Sequence, residues 1–176
     1  MRILTLACAV LLLAGCAAGQ AAQETVVVAQ APLVIDGGFT INSVTLSQAA
    51  NVYRYTYDVA APTPVRVTHT LAKSNMMFDP ANAMRSPSDA AQEIARYFRL
   101  SNTPAATSIL SVQNRYGTAF LYFGSVGNTF CGLLLQYLDE SQAIDGLACR
   151  PGATDGDRDV IRATMRGVVG GIRPRV

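Results

Sequence analysis

The sequence contains no tryptophan, a single histidine, a single lysine and few charges of either sign. Only 15% of its 176 residues are charged, and the formal net charge is +2. Nucleic-acid binding depends on clustered positive charge, so we predict no nucleic-acid partner. Hydrophobic residues make up 50% of the chain. That share is ordinary for a globular protein and excludes extensive disorder.

The scarcity of histidine limits the catalytic chemistry that the chain offers. Any Ser/His/Asp or Cys/His centre, and any histidine-based metal site, would have to use His69. This residue lies between Val67 and Leu71 in a threonine-rich run, at a position typical of a hydrogen-bonded, semi-buried histidine. No G-x-S-x-G turn supplies a nucleophile. His69 is therefore our one catalytic candidate, ranked below a structural role, and we predict no metal site and no cofactor.

The first 16 residues combine the features of an export signal. Arg2 gives a short positive start, and residues 3–13 form an uncharged apolar run too short to span a bilayer. The run ends in Leu13, Ala14, Gly15 and Cys16. A branched apolar residue, two small residues and a cysteine in this context resemble the lipobox of bacterial lipoproteins.

The resemblance implies cleavage before Cys16 and acylation of its sulfur and its new amino group. Two or three acyl chains would hold the protein stably at a membrane. In the enterobacterial sorting pattern, Ala17 rather than aspartate favours the outer membrane, with a periplasmic domain; the inner membrane and the cell surface are alternatives. Residues 1–15 would be the removed signal peptide, 16–24 the lipidated tether and 25–176 a single globular domain. An ordinary signal peptide cut near residues 19–21 is the competing interpretation.

The remaining cysteines are consistent with an oxidising compartment. Cys8 would leave with the leader and Cys16 would carry the lipid, so Cys131 and Cys149 remain as a pair. We predict a disulfide between them, which stabilises the fold by about 3 kcal/mol in the chain-entropy model. Two buried free thiols are the alternative. A metal site is disfavoured because the spacing is long and no histidine is near in sequence.

Alternating and capped patterns predict an α+β fold. Residues 51–59 and 65–71 alternate as two neighbouring antiparallel strands. Ser86 and Pro87 begin the clearest helix, over residues 86–99. The strands at 108–113, 118–123 and 130–138 are apolar at nearly every position, so both of their faces should be covered. A second helix is predicted over residues 155–166, ended by Gly167, Gly170 and Gly171.

This order favours an antiparallel sheet with two helices packed on it and one disulfide. A sandwich with peripheral helices is the alternative. We predict a short first strand over residues 25–29, a loop over 73–85 and a polar connection over 139–145.

Three groups of residues are candidates for binding. A tyrosine stripe on one strand could line a ligand groove, although such stripes are more often part of a core. An apolar segment in the predicted loop could contact a partner. An arginine face on the last helix could bind phosphate, lipid headgroups or an acidic partner, unless Asp155 and Asp159 neutralise it. These groups are, in order, Tyr53, Tyr55 and Tyr57; Met76, Met77 and Phe78; and Arg158, Arg162 and Arg166.

Without a recognisable catalytic constellation, the leading expectation is a non-catalytic accessory or structural subunit. It would be held at the membrane by the lipid on Cys16 and would bind a protein partner in an envelope assembly. The second expectation is a module that binds cell-wall glycan or a small ligand. The third is an envelope hydrolase that uses His69.

Overall fold

The computed structural model describes residues 23–49, 51–73, 84 and 86–175. Helix α1 spans Pro87–Tyr97 and helix α2 spans Asp155–Gly171, with short 3-10 helices at Val28–Gln30 and Ala106–Ser108. Neither α-helix in the described ranges has the length and apolar character needed to cross a membrane. The strands are β1 (Gln23–Val26), β2 (Leu33–Ile35), β3 (Thr40–Ala49), β4 (Val52–Ala60), β5 (Val65–Ala72), β6 (Ile109–Asn114), β7 (Gly117–Val126), β8 (Thr129–Asp139), β9 (Gln142–Pro151) and β10 (Ile172–Pro174).

Eight strands form one continuous sheet in the order β1-β3-β4-β5-β9-β8-β7-β6. Every neighbouring pair is antiparallel. Strands β4 and β5 pair as the alternation predicts, with Tyr55 opposite His69. The prediction of an antiparallel sheet with two packed helices is confirmed, and this one large sheet takes the place of the two packed sheets that a sandwich requires.

Strand β8 is covered on both faces, which explains its nearly continuous apolar sequence. Phe130 and Leu134 belong to the core cluster that contains Ile161 and Met165 of α2. The alternate residues Cys131, Leu133 and Leu135 belong to a second cluster with Ile94 of α1. Because successive side chains of a strand point to opposite faces, the two helices lie on opposite sides of the sheet. The predicted two-sided coverage is confirmed.

Both helices begin at reciprocal caps. The Ser86 hydroxyl accepts a hydrogen bond from the Asp89 N–H, and the Asp89 carboxylate accepts one from the Ser86 N–H. Thr154 and Asp157 repeat this arrangement at the start of α2. Each pair satisfies two backbone donors that a helix start otherwise leaves free.

The predicted end of the second helix is wrong, because α2 continues past Arg166 to Gly171. Its glycines allow close packing instead of ending the helix. A Cβ at Gly167 would lie 3.0 Å from the Phe39 ring, and one at Gly171 would overlap the Asp36 carbonyl oxygen. The Asp36 N–H donates to the Gly171 carbonyl over 2.9 Å. Gly167 and Gly171 therefore leave room for the chain that packs beside the helix.

Two strand predictions also need correction. The polar connection predicted over residues 139–145 is a short turn followed by β9, which lies inside the sheet between β5 and β8. Its buried positions include the small residues Ala143 on one face and Gly146 and Ala148 on the other, which weaken the apolar alternation. The first strand ends at Val26 rather than at residue 29, and a 3-10 helix follows.

The predicted disulfide is confirmed. Cys131 and Cys149 lie directly opposite each other on β8 and β9, and their Cα atoms are 4.2 Å apart. Cys131 is buried and Cys149 is exposed. The bond therefore joins two strands that are already paired.

Strands β2 and β10 form a small antiparallel ribbon on the α2 side of the core. Leu33 and Ile172 are fully buried there, and the Leu33 N–H donates to the Tyr57 hydroxyl over 3.0 Å. Arg173 forms an ion pair with Asp36. The guanidinium of Arg175 donates to the carbonyls of Ala31 and Val28 over 2.8 and 2.9 Å.

We expect Gly171→Ala to lower the free energy of unfolding by about 1 to 3 kcal/mol, because the added methyl group overpacks against the Asp36 backbone. Gly170→Ala is the matched control, since nothing lies within 4 Å of its Cβ position. This control should raise stability by about 0.5 to 1 kcal/mol, because alanine loses less backbone entropy in a helix. Urea denaturation measures both changes; equal effects would contradict the close approach of α2 to Asp36.

Candidate functional site

The sheet face that carries α1 has an apolar half and a polar half. Helix α1 packs on β6, β7 and β8, where the face is apolar. On β3, β4 and β5 the same face carries hydroxyl and charged side chains, and we call this surface the polar half. Its residues are Ser43, Thr45, Ser47, Arg54, Thr56, Asp58, Arg66 and Thr68, and the buried Thr70 lies next along β5 on the same face.

Strand register aligns the polar half into rows. Thr45, Thr56 and Thr68 lie opposite one another on β3, β4 and β5, and Asp145 of β9 continues this row. Directly opposed residues on neighbouring strands bring their Cβ atoms to about 4.5 to 5.5 Å of each other. Three hydroxyls and a carboxyl are thus presented side by side.

The neighbouring row borders an open cavity of about 500 Å³, which we call the polar depression. In that row the Ser43 hydroxyl donates to Asp58 Oδ2 over 3.1 Å, and Arg66 Nε donates to Asp58 Oδ1 over 3.4 Å. The side chains of Arg66 and Asp58 are 61% and 46% exposed, so solvent or a ligand reaches both. The depression is lined by Asn42, Ser43, Asp58, Val59, Pro64, Val65, Arg66, Leu147 and Cys149.

Asp145 links the polar half to α1. The Tyr97 hydroxyl donates to Asp145 Oδ1 over 2.8 Å. Burial raises the pKa of Asp145 to about 6, although the bonds from Tyr97 and Thr68 and the charge of Arg54 oppose the shift. Burial likewise raises the pKa of Tyr97, and the neighbouring carboxylate adds to the effect. At mildly acidic pH this carboxyl group therefore holds a proton that an exposed aspartate would release.

His69 lies on the opposite face of the sheet and is only 2% exposed. Its Nε2 lies 3.2 Å from Gln142 Oε1, and Gln142 Nε2 donates to Asp139 Oδ2 over 2.9 Å. Burial lowers the pKa of His69, which favours the neutral ring. Its Nδ1 finds no hydrogen-bond partner among the described residues. The described partner of the ring is an amide and not a nucleophile or carboxylate, so the hydrolase hypothesis gains no support from this contact.

The tyrosine stripe lies on the same face as His69, away from the polar half. Tyr57 is fully buried and belongs to the core, and burial raises its pKa. Tyr55 is half-buried against that core. Tyr53 is half-buried as well, with Lys73 Nζ 4.3 Å from its ring centre. Core packing thus accounts for Tyr57, whereas Tyr53 remains partly accessible to solvent.

The arginine face of α2 is largely paired. Arg158 forms an ion pair with Asp155 at 3.3 Å, and Arg162 forms one with Asp159 at 2.9 Å. Both guanidinium groups also lie 5.4 Å from the ring centre of Phe130. Arg166 is exposed.

This pattern matches the alternative in which neighbouring aspartates neutralise the face.

Cys16, Met76, Met77 and Phe78 lie outside the described residues. Within those residues, no group of three His, Cys, Asp or Glu side chains is arranged to hold a metal ion.

Comparisons of the chain with protein-family models, with curated proteins and with solved structures find no match. No residue role can therefore be transferred from a relative. The polar depression is distinguished by its own chemistry: it combines exposed hydrogen-bonding groups, a charged pair and a cavity of the size that small ligands occupy. The alternation of β4 predicts the tyrosine stripe, and the same alternation places Arg54, Thr56 and Asp58 together on the other face.

We expect Asp145→Asn to change the pH dependence of stability. The folded protein keeps the Asp145 proton up to about pH 6 and the unfolded chain releases it near pH 4. Wild-type stability therefore falls as pH rises through this window. The variant lacks this loss. Its free energy of unfolding, relative to that of the wild type, should therefore rise by about 1 to 3 kcal/mol between pH 4 and pH 7.

Parallel urea titrations of both proteins across this range measure the difference, in which contributions from His69 and the other titrating groups cancel. A constant difference across the range would contradict the elevated pKa of Asp145.

Proposed function

We propose that the chain is a lipid-anchored envelope protein whose domain binds a small polar ligand, such as a fragment of cell-wall glycan, in the polar depression. The observation that carries the proposal is the open cavity of about 500 Å³ beside the Ser43–Asp58–Arg66 row. Ligand sites typically measure about 300 to 1,000 Å³ and use a few placed polar groups for orientation. The depression meets both descriptions.

The polarity of this surface favours a ligand over a large protein partner. The centres of protein interfaces are depleted in charge and enriched in aromatic and other apolar side chains. The polar half instead presents serine, threonine, arginine and aspartate. Hydroxyl and charged groups at strand spacing suit the dense hydrogen-bonding groups of a sugar or of a short peptide.

The proposed location depends on the lipobox at residues 13–16 and on the disulfide. The Cys131–Cys149 bond is typical of proteins that fold in an oxidising compartment, which includes the bacterial periplasm. Acylation of Cys16 would place the domain at the periplasmic side of the outer membrane. There it would meet cell-wall material at high local concentration.

A second candidate function, the accessory subunit of an envelope assembly, is favoured by strand β6. In the described sheet β6 is the terminal strand and pairs only with β7. Its outer edge presents backbone donors and acceptors, and a strand from another protein could add there. Ser111 and Gln113 are exposed along it.

Replacing Cys16 by serine should abolish the anchor. We expect the wild-type protein to incorporate labelled palmitate in growing cells and to sediment with membranes, and Cys16→Ser to lose both properties, because the variant has no sulfur to acylate. Cys8→Ser, within the leader, should behave like the wild type. An unmodified amino terminus downstream of residue 16, found by mass spectrometry of the native protein, would refute the anchor.

Filling the polar depression should weaken ligand binding. Asn42 and Gln113 are both exposed amide residues on strands, but only Asn42 lines the depression. In calorimetric titration with soluble muropeptides, we expect Asn42→Tyr to bind at least about ten-fold more weakly than wild type, a loss of roughly 1.4 kcal/mol. Gln113→Tyr should be unchanged. If no muropeptide binds, and a photo-crosslinker at position 113 captures one defined envelope protein, the accessory function is favoured.

A further inference from the structure

We infer that the polar depression selects a zwitterionic ligand, a free amino acid or very short peptide, with its carboxylate on Arg66 and its ammonium group on Asp58. The inference rests on the proposed function and specifies the chemistry of its ligand. It follows from the way one row of three strands fixes two opposite charges at the edge of the cavity.

The row holds the two charged groups in place without using all of their hydrogen-bonding capacity. Ser43 of β3 donates to one oxygen of Asp58 on β4, and Arg66 Nε of β5 donates to the other. A carboxylate has about four acceptor positions, so Asp58 retains about two. Arg66 uses Nε in this contact, and its two terminal nitrogens make no hydrogen bond with the described residues. Those nitrogens offer a fork of donors that matches a carboxylate.

The balance of charge at this edge favours a ligand that carries both signs. A simple anion would be attracted by Arg66 and repelled by Asp58, which lies within 3.4 Å of it. A simple cation would be attracted by Asp58 and repelled by Arg66. Because the two interactions are of similar size at similar distance, each largely cancels the other for a ligand of one sign. A zwitterion gains from both, since its two charges can each face the opposite partner.

The rest of the polar half is also balanced. Arg54 lowers the pKa of Asp145 by its charge, so this second pair interacts further along the same face. Two arginines and two aspartates leave little net field to draw in a purely anionic ligand such as a phosphate. Ser43 and Asn42 add neutral hydrogen-bonding groups at the rim. The surface therefore discriminates by charge placement and not by net charge.

Three probes and two variants test the inference on the mature, lipidated protein in detergent at pH 7. The probes are the dipeptide alanyl-alanine, its N-acetyl derivative, which lacks the ammonium group, and its C-terminal amide, which lacks the carboxylate. Dissociation constants come from ligand-observed NMR titration. The wild type should bind each derivative at least about ten-fold more weakly than the dipeptide.

Each variant should erase one discrimination and keep the other. Arg66→Gln should bind the dipeptide and its amide equally, because the carboxylate has lost its partner. Asp58→Asn should bind the dipeptide and its N-acetyl form equally. Arg166→Gln, an exposed arginine on α2, should behave as wild type. Retained thermal unfolding temperatures would show that each variant is folded.

The inference is overturned if the wild type binds the three probes alike or binds none of them, or if either variant keeps both discriminations. These outcomes are distinct from failure of the proposed function. Muropeptide binding that Asn42→Tyr weakens would leave the depression as the ligand site even when the zwitterion preference is absent. Loss of that effect as well would remove both proposals.

Discussion

Burial of strand β8 on both of its faces is the constraint on which the rest of the structure depends. A strand with apolar side chains on both sides cannot meet water on either, so it needs a covering layer above and below. Helix α2 covers one side and helix α1 the other. Gly132 permits the approach of α2, because a Cβ there would lie within 3 Å of Met165 and Phe123. The eleven-residue α1 is too short to cover all eight strands. It packs on β6, β7 and β8, and the part of the same sheet face on β3, β4 and β5 is polar.

Much of this architecture could be predicted from local patterns. Strand alternation at Tyr53–Tyr57, reciprocal capping at Ser86 and at Thr154, and the even pair of cysteines each depend on neighbouring residues or on compartment chemistry. Strand β9 could not be predicted in this way, because small residues such as Gly146 and Ala148 give no clear apolar alternation and their burial is set by the elements that pack against them. The end of α2 could not be predicted for the same reason. Glycine in a sequence usually indicates the end of a helix, and only the fold shows that Phe39 packs against Gly167 and Asp36 against Gly171.

The candidate site was less accessible to sequence reasoning. Arg54, Thr56 and Asp58 could be assigned to one face from the alternation of β4 alone. Their alignment with Arg66 and Asp145 depends on strand order and register, and Asp58 and Leu147, which are 89 positions apart in the chain, must be brought to the same edge of the sheet. The pKa of Asp145 depends likewise on the position of Tyr97. Charge pairs that cross strands are tertiary properties, whereas caps and turns are local ones.

The ribbon of β2 and β10 sets the order in which the molecule can be completed. Asp36 and Arg173, paired at one end of it, are separated by 137 positions in the chain. Arg173 is synthesised 137 positions after Asp36, so β2 is made long before its partner strand. Until β10 has been made the ribbon cannot form, and Leu33 and Ile35 lack the strand that pairs with them.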